Sequence, residues 1–228
     1  MHVIVEFGDD FPRQDESPEA LRARLLRRYG TDPEAYYDRV YALRDSPSLP
    51  ADEVAEGISF LERTSIVPGK KRALVIGAGL GGDAFVLRKS GYDVTVTETS
   101  KVAAAFLRKH GFAVWEEDVS DTGIRGEFDV IVVCHVFQHM TEGGVERTIR
   151  DMQKGTVLGG MNIIIAYGDM HLKSKFLPFA KKKYYFSQGS LSRKYEGWRH
   201  VAYHDEIEPS SSYGSSHYIR GIFLKLAK

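Results

Sequence analysis

Five positions carry the polar chemistry of this chain, and their order along it is as informative as their types. A glycine-rich turn, Gly77-Ala78-Gly79-Leu80-Gly81-Gly82, follows a short apolar run and precedes a helical pattern. Glycines there allow positive φ and close approach of the backbone to a ligand, while the helix behind them offers unpaired amides. Gly77, Gly79 and Gly82 satisfy the G-x-G-x-x-G spacing of a dinucleotide turn. Glu98 stands nineteen residues after Gly79 at the end of the next apolar run, with Thr99 beside it. A carboxylate there can accept hydrogen bonds from both hydroxyls of a ribose and disfavours a 2′-phosphate. Asp118, in Glu116-Glu117-Asp118-Val119, follows the third such run and is placed to meet an adenine amino group. His135 and His139 come directly after the fourth. An imidazole titrates near pH 6.5 and suits a general base. Two histidines four apart after a strand, with no third ligand evident, make a poor metal pair, so no metal is expected.

These residues require an alternating strand–helix scaffold. Ala73–Ile76, Val94–Thr97, Phe112–Trp115, Phe128–Val133 and Met161–Tyr167 read as strands, the last behind a turn at Leu158-Gly159-Gly160. Helical patterns over about Asp83–Lys89, Lys101–Lys109 and Glu142–Met152 separate them. Continuous apolar strands between helices signify a parallel sheet covered on both faces, whose ligands bind at the carboxyl ends of the strands. Trp198–Tyr203 and His217–Leu226 form an edge hairpin around the small-residue loop Pro209–Ser216. Residues 1–70 read as a short strand, Val3–Phe7, and a helical cap with too little apolar surface for its own core; residues 71–228 form the main domain. The cap helices are expected over Pro18–Arg28, after Thr31-Asp32-Pro33, and over about Ala51–Arg63.

Together these stretches resemble the class I S-adenosylmethionine-dependent methyltransferases: VIGAGLGGDAFVLRKSGYDVTVTETS (75–100), EEDVSD (116–121), FDVIVVCHVFQHM (128–140) and VLGGMNIIIAY (157–167). The glycines also satisfy the G-x-G-x-G of many such enzymes, at Gly77, Gly79 and Gly81. Within the class the chain is similar to tellurite-resistance-type small-molecule methyltransferases, whose chains end much like GSLSRKYEGWRHVAYHDE (189–206) and a final strand. The resemblance implies a Rossmann-like α/β fold with a mostly parallel seven-stranded sheet and an antiparallel last strand. It implies S-adenosylmethionine as cofactor, with Gly77, Ala78, Gly79 and Gly81 at the methionine and ribose, Glu98 and Thr99 at the ribose hydroxyls, and Asp118 with Val119 at the adenine. His135 would lie beside the cofactor, and Tyr37 in an entry helix would close over it. An acidic residue often found two places before the first glycine is here Val75.

Composition narrows the partners. Thirty-one basic residues balance thirty-one acidic ones among 228, which gives no general pull toward nucleic acid or an anionic membrane. The single cysteine, Cys134, allows no intramolecular disulfide and fits a reducing, cytoplasmic setting; it reads as a small buried residue rather than a nucleophile. No apolar stretch reaches the roughly 20 residues that span a bilayer. Lys173–Lys194 holds seven lysines and arginines, no acids, and five interleaved aromatic rings. That segment is open to three readings: a packed aromatic loop with solvated lysines, a lid over a small anionic substrate, or a surface for RNA. Tyr167, Asp169 and His171 follow the fifth strand toward the substrate side or form a turn. The expected partner is a small-molecule methyl acceptor, with nucleic acid the lesser reading, and the chain acts as a monomer or homodimer. An NAD-dependent oxidoreductase and a non-catalytic cofactor-binding module are the other classes the glycines and Glu98 leave open.

Overall fold

A computed structural model describes residues 16–29, 33–42, 44, 46–64, 71–170, 184–210 and 214–226. The expected strand Val3–Phe7, His171 and most of the basic–aromatic segment lie outside the described residues. Helices α1 (Pro18–Tyr29), α2 (Pro33–Ala42) and α3 (Asp52–Thr64) precede the sheet. Then come β1 (Arg72–Ile76), α4 (Gly82–Lys89), β2 (Asp93–Thr97), α5 (Lys101–Lys109), β3 (Ala113–Trp115), α6 (Val119–Thr122), β4 (Phe128–Cys134), α7 (Glu142–Gly155) and β5 (Thr156–Tyr167). A one-turn helix, Ser190–Lys194, leads into the hairpin β6 (Arg199–Ser210) and β7 (Gly214–Leu224).

The seven strands are ordered β3-β2-β1-β4-β5-β7-β6. The first five run parallel, and β7 runs antiparallel between β5 and β6. Alternation along the strands sends Ala73, Val75, Val130, Val132, Ile163 and Ile165 to one face, where they pack with Val54, Ile58 and Leu61 of α3 and Ala84 and Leu87 of α4. Leu74, Ile76, Ile131, Val133 and Ile164 go to the other, against Val145, Ile149 and Met152 of α7. Burial on both faces is why these strands are apolar throughout. The chain moves outward from β1 to β3 and then returns to the other side of β1 at β4. That reversal opens a crevice at the carboxyl ends of β1 and β4.

Two expectations at the sheet are revised. The expected turn at 158–160 is an excursion inside one strand run: Gly159 has φ +78°, and pairing with β4 shifts between Phe128 and Val130. It is held because the Gly159 amide donates to Lys225 O and the Lys225 amide to Gly160 O. The hairpin strands run on to Ser210 and from Gly214, deep into the expected loop. Helix α3 contributes to the main core, so this part of the cap is integral to the sheet rather than appended to it.

Candidate functional site

The glycine turn leaves β1 at the crevice. Gly77 and Gly79 hold φ of +62° and +55°, conformations that suit a residue without Cβ. The Gly77 amide donates to Thr97 Oγ1 (3.2 Å), and the Gly79 amide to Glu98 Oε2 (2.7 Å). A Cβ on Gly77 would lie 2.5 Å from Val136, and one on Gly79 2.8 Å from the hydroxyl of Tyr41. The turn is therefore overlaid by the first residues after β4 and by α2.

Glu98 lies beneath this turn and is 7% exposed. Its Oε1 accepts from the Ser100 amide at 2.9 Å. Burial raises its carboxyl above the usual range, against the amides of Ser100 and Gly79, which pull it down. Thr99, half-buried, separates Glu98 from Ser100, the N-cap of α5. Asp118 is exposed at the end of β3 and caps α6, its Oδ1 accepting from the Ser120 amide at 2.8 Å, while Val119 is buried below it. Ala78, Gly81, Thr99 and Asp118 lie in the turns that end β1, β2 and β3, and Val119 opens α6.

The N-terminus of α4 is closed. The Gly82 amide donates to Ser48 Oγ (3.2 Å), and a Cβ on Gly82 would run into the Ser48 carbonyl oxygen. Asp83, in the first turn, accepts from the Ala51 amide at 2.8 Å. Sequence reasoning missed this segment, because neither Ser48 nor Ala51 belongs to a motif.

His135 and His139 leave β4 by different routes. His135 has φ +53°, and its ring stacks on Tyr167 at 4.4 Å and 17°, with Tyr218 edge-on at 6.0 Å. His139 ends a single 3-10 turn, Phe137–His139. Its Nε2 lies 3.0 Å from the Tyr37 hydroxyl and 3.1 Å from Gln138 Nε2. The Gln138 amide nitrogen can only donate, so His139 Nε2 accepts from it, with the Tyr37 hydroxyl beside the same nitrogen. Burial holds the Tyr37 phenol well above its ordinary range, and the same cause lifts Tyr41 and Tyr167. Tyr37 and Tyr41 are one helical turn apart and stacked at 5.7 Å. That i, i+4 spacing was the signal by which Tyr41 could have been found beside Tyr37.

The residues beyond β5 form a second polar cluster. The buried ring of His217 places Nε2 2.8 Å from Asp205 Oδ1, while the Met170 amide lies 3.3 Å and Asp169 Oδ1 3.5 Å from its Nδ1. Asp205 Oδ2 accepts from the Gly189 amide (2.6 Å) and the Tyr203 hydroxyl (3.0 Å). In the described part of the basic–aromatic segment, Phe186 is fully buried against Phe137 and Tyr184, Leu191 is buried, and Lys194 pairs with Glu146. That part is packed inward. Burial pushes the Cys134 thiol up, away from nucleophile chemistry. Among the described residues no group of three His, Cys, Asp or Glu is arranged to hold a metal, and no helix is long and apolar enough to cross a membrane.

The chain is similar to a probable S-adenosyl-L-methionine-dependent methyltransferase TehB of Haemophilus influenzae, 27% identical over 142 residues, which is 60% of this chain and 49% of that one. The chain therefore spans about half the length of the curated relatives it matches. The crystal structure of TehB from Haemophilus influenzae superposes with a TM-score of 0.60 at 20% identity, over 73% of this chain and 62% of that one. A Burkholderia thailandensis 1,6-didemethyltoxoflavin-N1-methyltransferase, solved with 1,6-didemethyltoxoflavin and S-adenosylhomocysteine, superposes at 0.56 with 16% identity, over 95% and 94% of the two chains. At such identities the structural likeness speaks for the Rossmann-like fold. The model of the tellurite resistance protein TehB family matches residues 32–212, most of the chain, and the chain belongs to that family.

Proposed function

We propose that the chain is a cytoplasmic S-adenosylmethionine-dependent methyltransferase acting on a small molecule. The observation that carries this reading is the closed N-terminus of α4. A dinucleotide seats its pyrophosphate on the free amides of the helix behind the glycine turn. Here the Gly82 amide is bonded to Ser48, and the backbone of Ser48 and Leu49 fills the space above it. What remains is a cradle for a nucleoside without a pyrophosphate. Glu98 would serve the ribose diol, its carboxylate held beneath the turn by the amides of Gly79 and Ser100. Gly77, Ala78 and Gly79 would run along the methionine end, with Gly81 turning the chain into α4. Thr99 would flank the ribose, and Asp118 with Val119 the adenine. Tyr41, over Gly79, joins Tyr37 as a covering residue.

S-adenosylmethionine supplies an electrophilic methyl group on a cationic sulfur. An acceptor's lone pair would take that methyl group, the sulfur keeping the electrons of the broken bond, and an acceptor that carries a proton would leave it to the protein. His139 would be the base and the Tyr37 hydroxyl its intermediary, since that hydroxyl lies 3.0 Å from Nε2. His135, stacked on Tyr167, forms the wall on the acceptor side. Much of the rate would come from alignment of acceptor and methyl group. The acceptor class is supported by the small-molecule enzyme among the structural neighbours, and the family's name makes tellurite the first acceptor to try.

Isothermal titration with S-adenosylhomocysteine and with NAD tests the cofactor. The first should bind and the second should not. Glu98→Ala should weaken binding at least about tenfold, the scale of a lost charge-assisted hydrogen bond, and Gly79→Arg should abolish it, both with a folded circular-dichroism spectrum. Binding of NAD, or wild-type affinity in both variants, would overturn the reading.

A further inference from the structure

Helix α2 reaches the site with a carboxylate that no motif announces. Asp38 Oδ1 accepts from the Ser100 hydroxyl at 2.5 Å and from the Val102 amide at 3.3 Å. It thus adds a side chain from a distant helix to the N-terminus of α5, where a negative charge is favoured. Ser100 is fully buried and has three roles. Its amide donates to Glu98, its hydroxyl donates to Asp38, and the same oxygen accepts from the Ala103 amide to cap α5. The residue that holds the candidate ribose acid therefore also holds the covering helix.

Asp38 lies between Tyr37 and Tyr41, so its docking fixes the roll of α2. With that roll set, the Tyr41 hydroxyl lies over Gly79 and the Tyr37 hydroxyl on His139. Tyr36 and Val40, on the buried side of α2, cluster with Tyr37 and Tyr41 rather than with either main core of the sheet. Polar contacts to α5 and His139 tie this helix to the crevice.

From this juxtaposition we infer that Asp38 is a positioning residue for the cofactor: through Ser100 it latches α2 over the glycine turn, so that release of the bound nucleoside requires the Asp38–Ser100 contact to part. The inference rests on the cofactor reading above and deepens it. Because the latch acts after the nucleoside is seated, its loss should appear in the dissociation rate rather than in the association rate.

The test is the affinity and dissociation rate of tritiated S-adenosylhomocysteine, chased with excess unlabelled compound, for the full chain and its Asp38→Ala, Asp38→Asn and Ser100→Ala variants. Asp38→Ala should release the compound about tenfold faster, the scale of one lost charge-assisted hydrogen bond, with association little changed. Asp38→Asn keeps the accepting oxygen without the charge and should fall between Asp38→Ala and wild type. It carries the test by itself if Asp38→Ala does not fold. The double variant Asp38→Ala/Ser100→Ala should release more slowly than the product of the two single effects, because the two side chains share one contact, although Asp38 keeps its bond to the Val102 amide in Ser100→Ala. A merely structural aspartate would lower the melting temperature of the ligand-free chain and leave release untouched. Wild-type release from Asp38→Ala or Asp38→Asn, or strictly additive effects, would overturn the latch and spare the cofactor reading. Failure of the wild-type chain to bind at all would overturn both.

Discussion

A single carboxyl ties the covering segment to the glycine turn, and its environment makes the tie depend on pH. Burial raises Asp83 to about 6, although the Ala51 amide donates to it and pulls the other way. In the unfolded chain an aspartate titrates near 3.9. The folded state therefore binds more protons than the unfolded state between about pH 4 and 6, and stability falls as pH rises through that window. The full effect is on the order of 3 kcal/mol above pH 6, since each tenfold difference in proton affinity between the two states is worth about 1.4 kcal/mol. Asp83→Asn keeps an oxygen for the Ala51 amide and removes the titration. Urea unfolding at pH 4, 5, 6 and 7 should give the wild-type chain a steeper decline than the variant. Glu98 is raised in the same direction, so the difference between the two curves isolates Asp83. Parallel curves would show that Asp83 titrates alike in both states.

At the scale of elements, the sequence was most legible where neighbours in the chain set the structure. Helix α5 begins and ends at Lys101 and Lys109, as its pattern predicts, because Ser100 caps it and an apolar stripe of Ala103, Ala104 and Leu107 is buried. The glycine turn and Glu98 were legible for the same reason: the strands and turns that place them are local. Ser48 on Gly82, Asp38 on Ser100 and Tyr37 on His139 join residues 34, 62 and 102 apart, and no local pattern encodes such pairings. The polar cluster around His217 is the same case, since it binds the end of β5, the start of the helix Ser190–Lys194 and the hairpin to one ring. Its tightest point is Gly168, where an added Cβ would run into the His217 ring at Nδ1. Gly168→Ala should therefore cost on the order of 3 kcal/mol, the upper range for overpacking a buried site. His217→Ala loses the bond to Asp205 but opens that space, so the double variant should be more stable than the sum of the single losses predicts. Chemical denaturation of the three variants measures this, and simple additivity would mean that the chain relieves the clash elsewhere.

For the whole molecule, the order of the strands and the closure of α4 act together. The reversal between β1 and β4 opens the crevice, the turns ending β1, β2 and β3 line it, and α2 with residues 46–51 lies over it. A ligand that binds only this assembled arrangement must stabilise the folded chain by mass action. S-adenosylhomocysteine at a hundred times its dissociation constant should add about 2.7 kcal/mol. For a chain of this size that corresponds to a rise in melting temperature of roughly 5–10 °C. NAD at the same concentration should leave the midpoint where it is, because the Gly82 amide is already bonded to Ser48 and the backbone of Ser48 and Leu49 covers it. Asp38→Ala and Glu98→Ala, each binding about tenfold more weakly, should gain only about 1.4 kcal/mol at the same ligand concentration, roughly half the wild-type rise. A rise with NAD would mean that residues 46–51 lift away from α4, and the closed helix end would then be a resting state of the crevice rather than its working form.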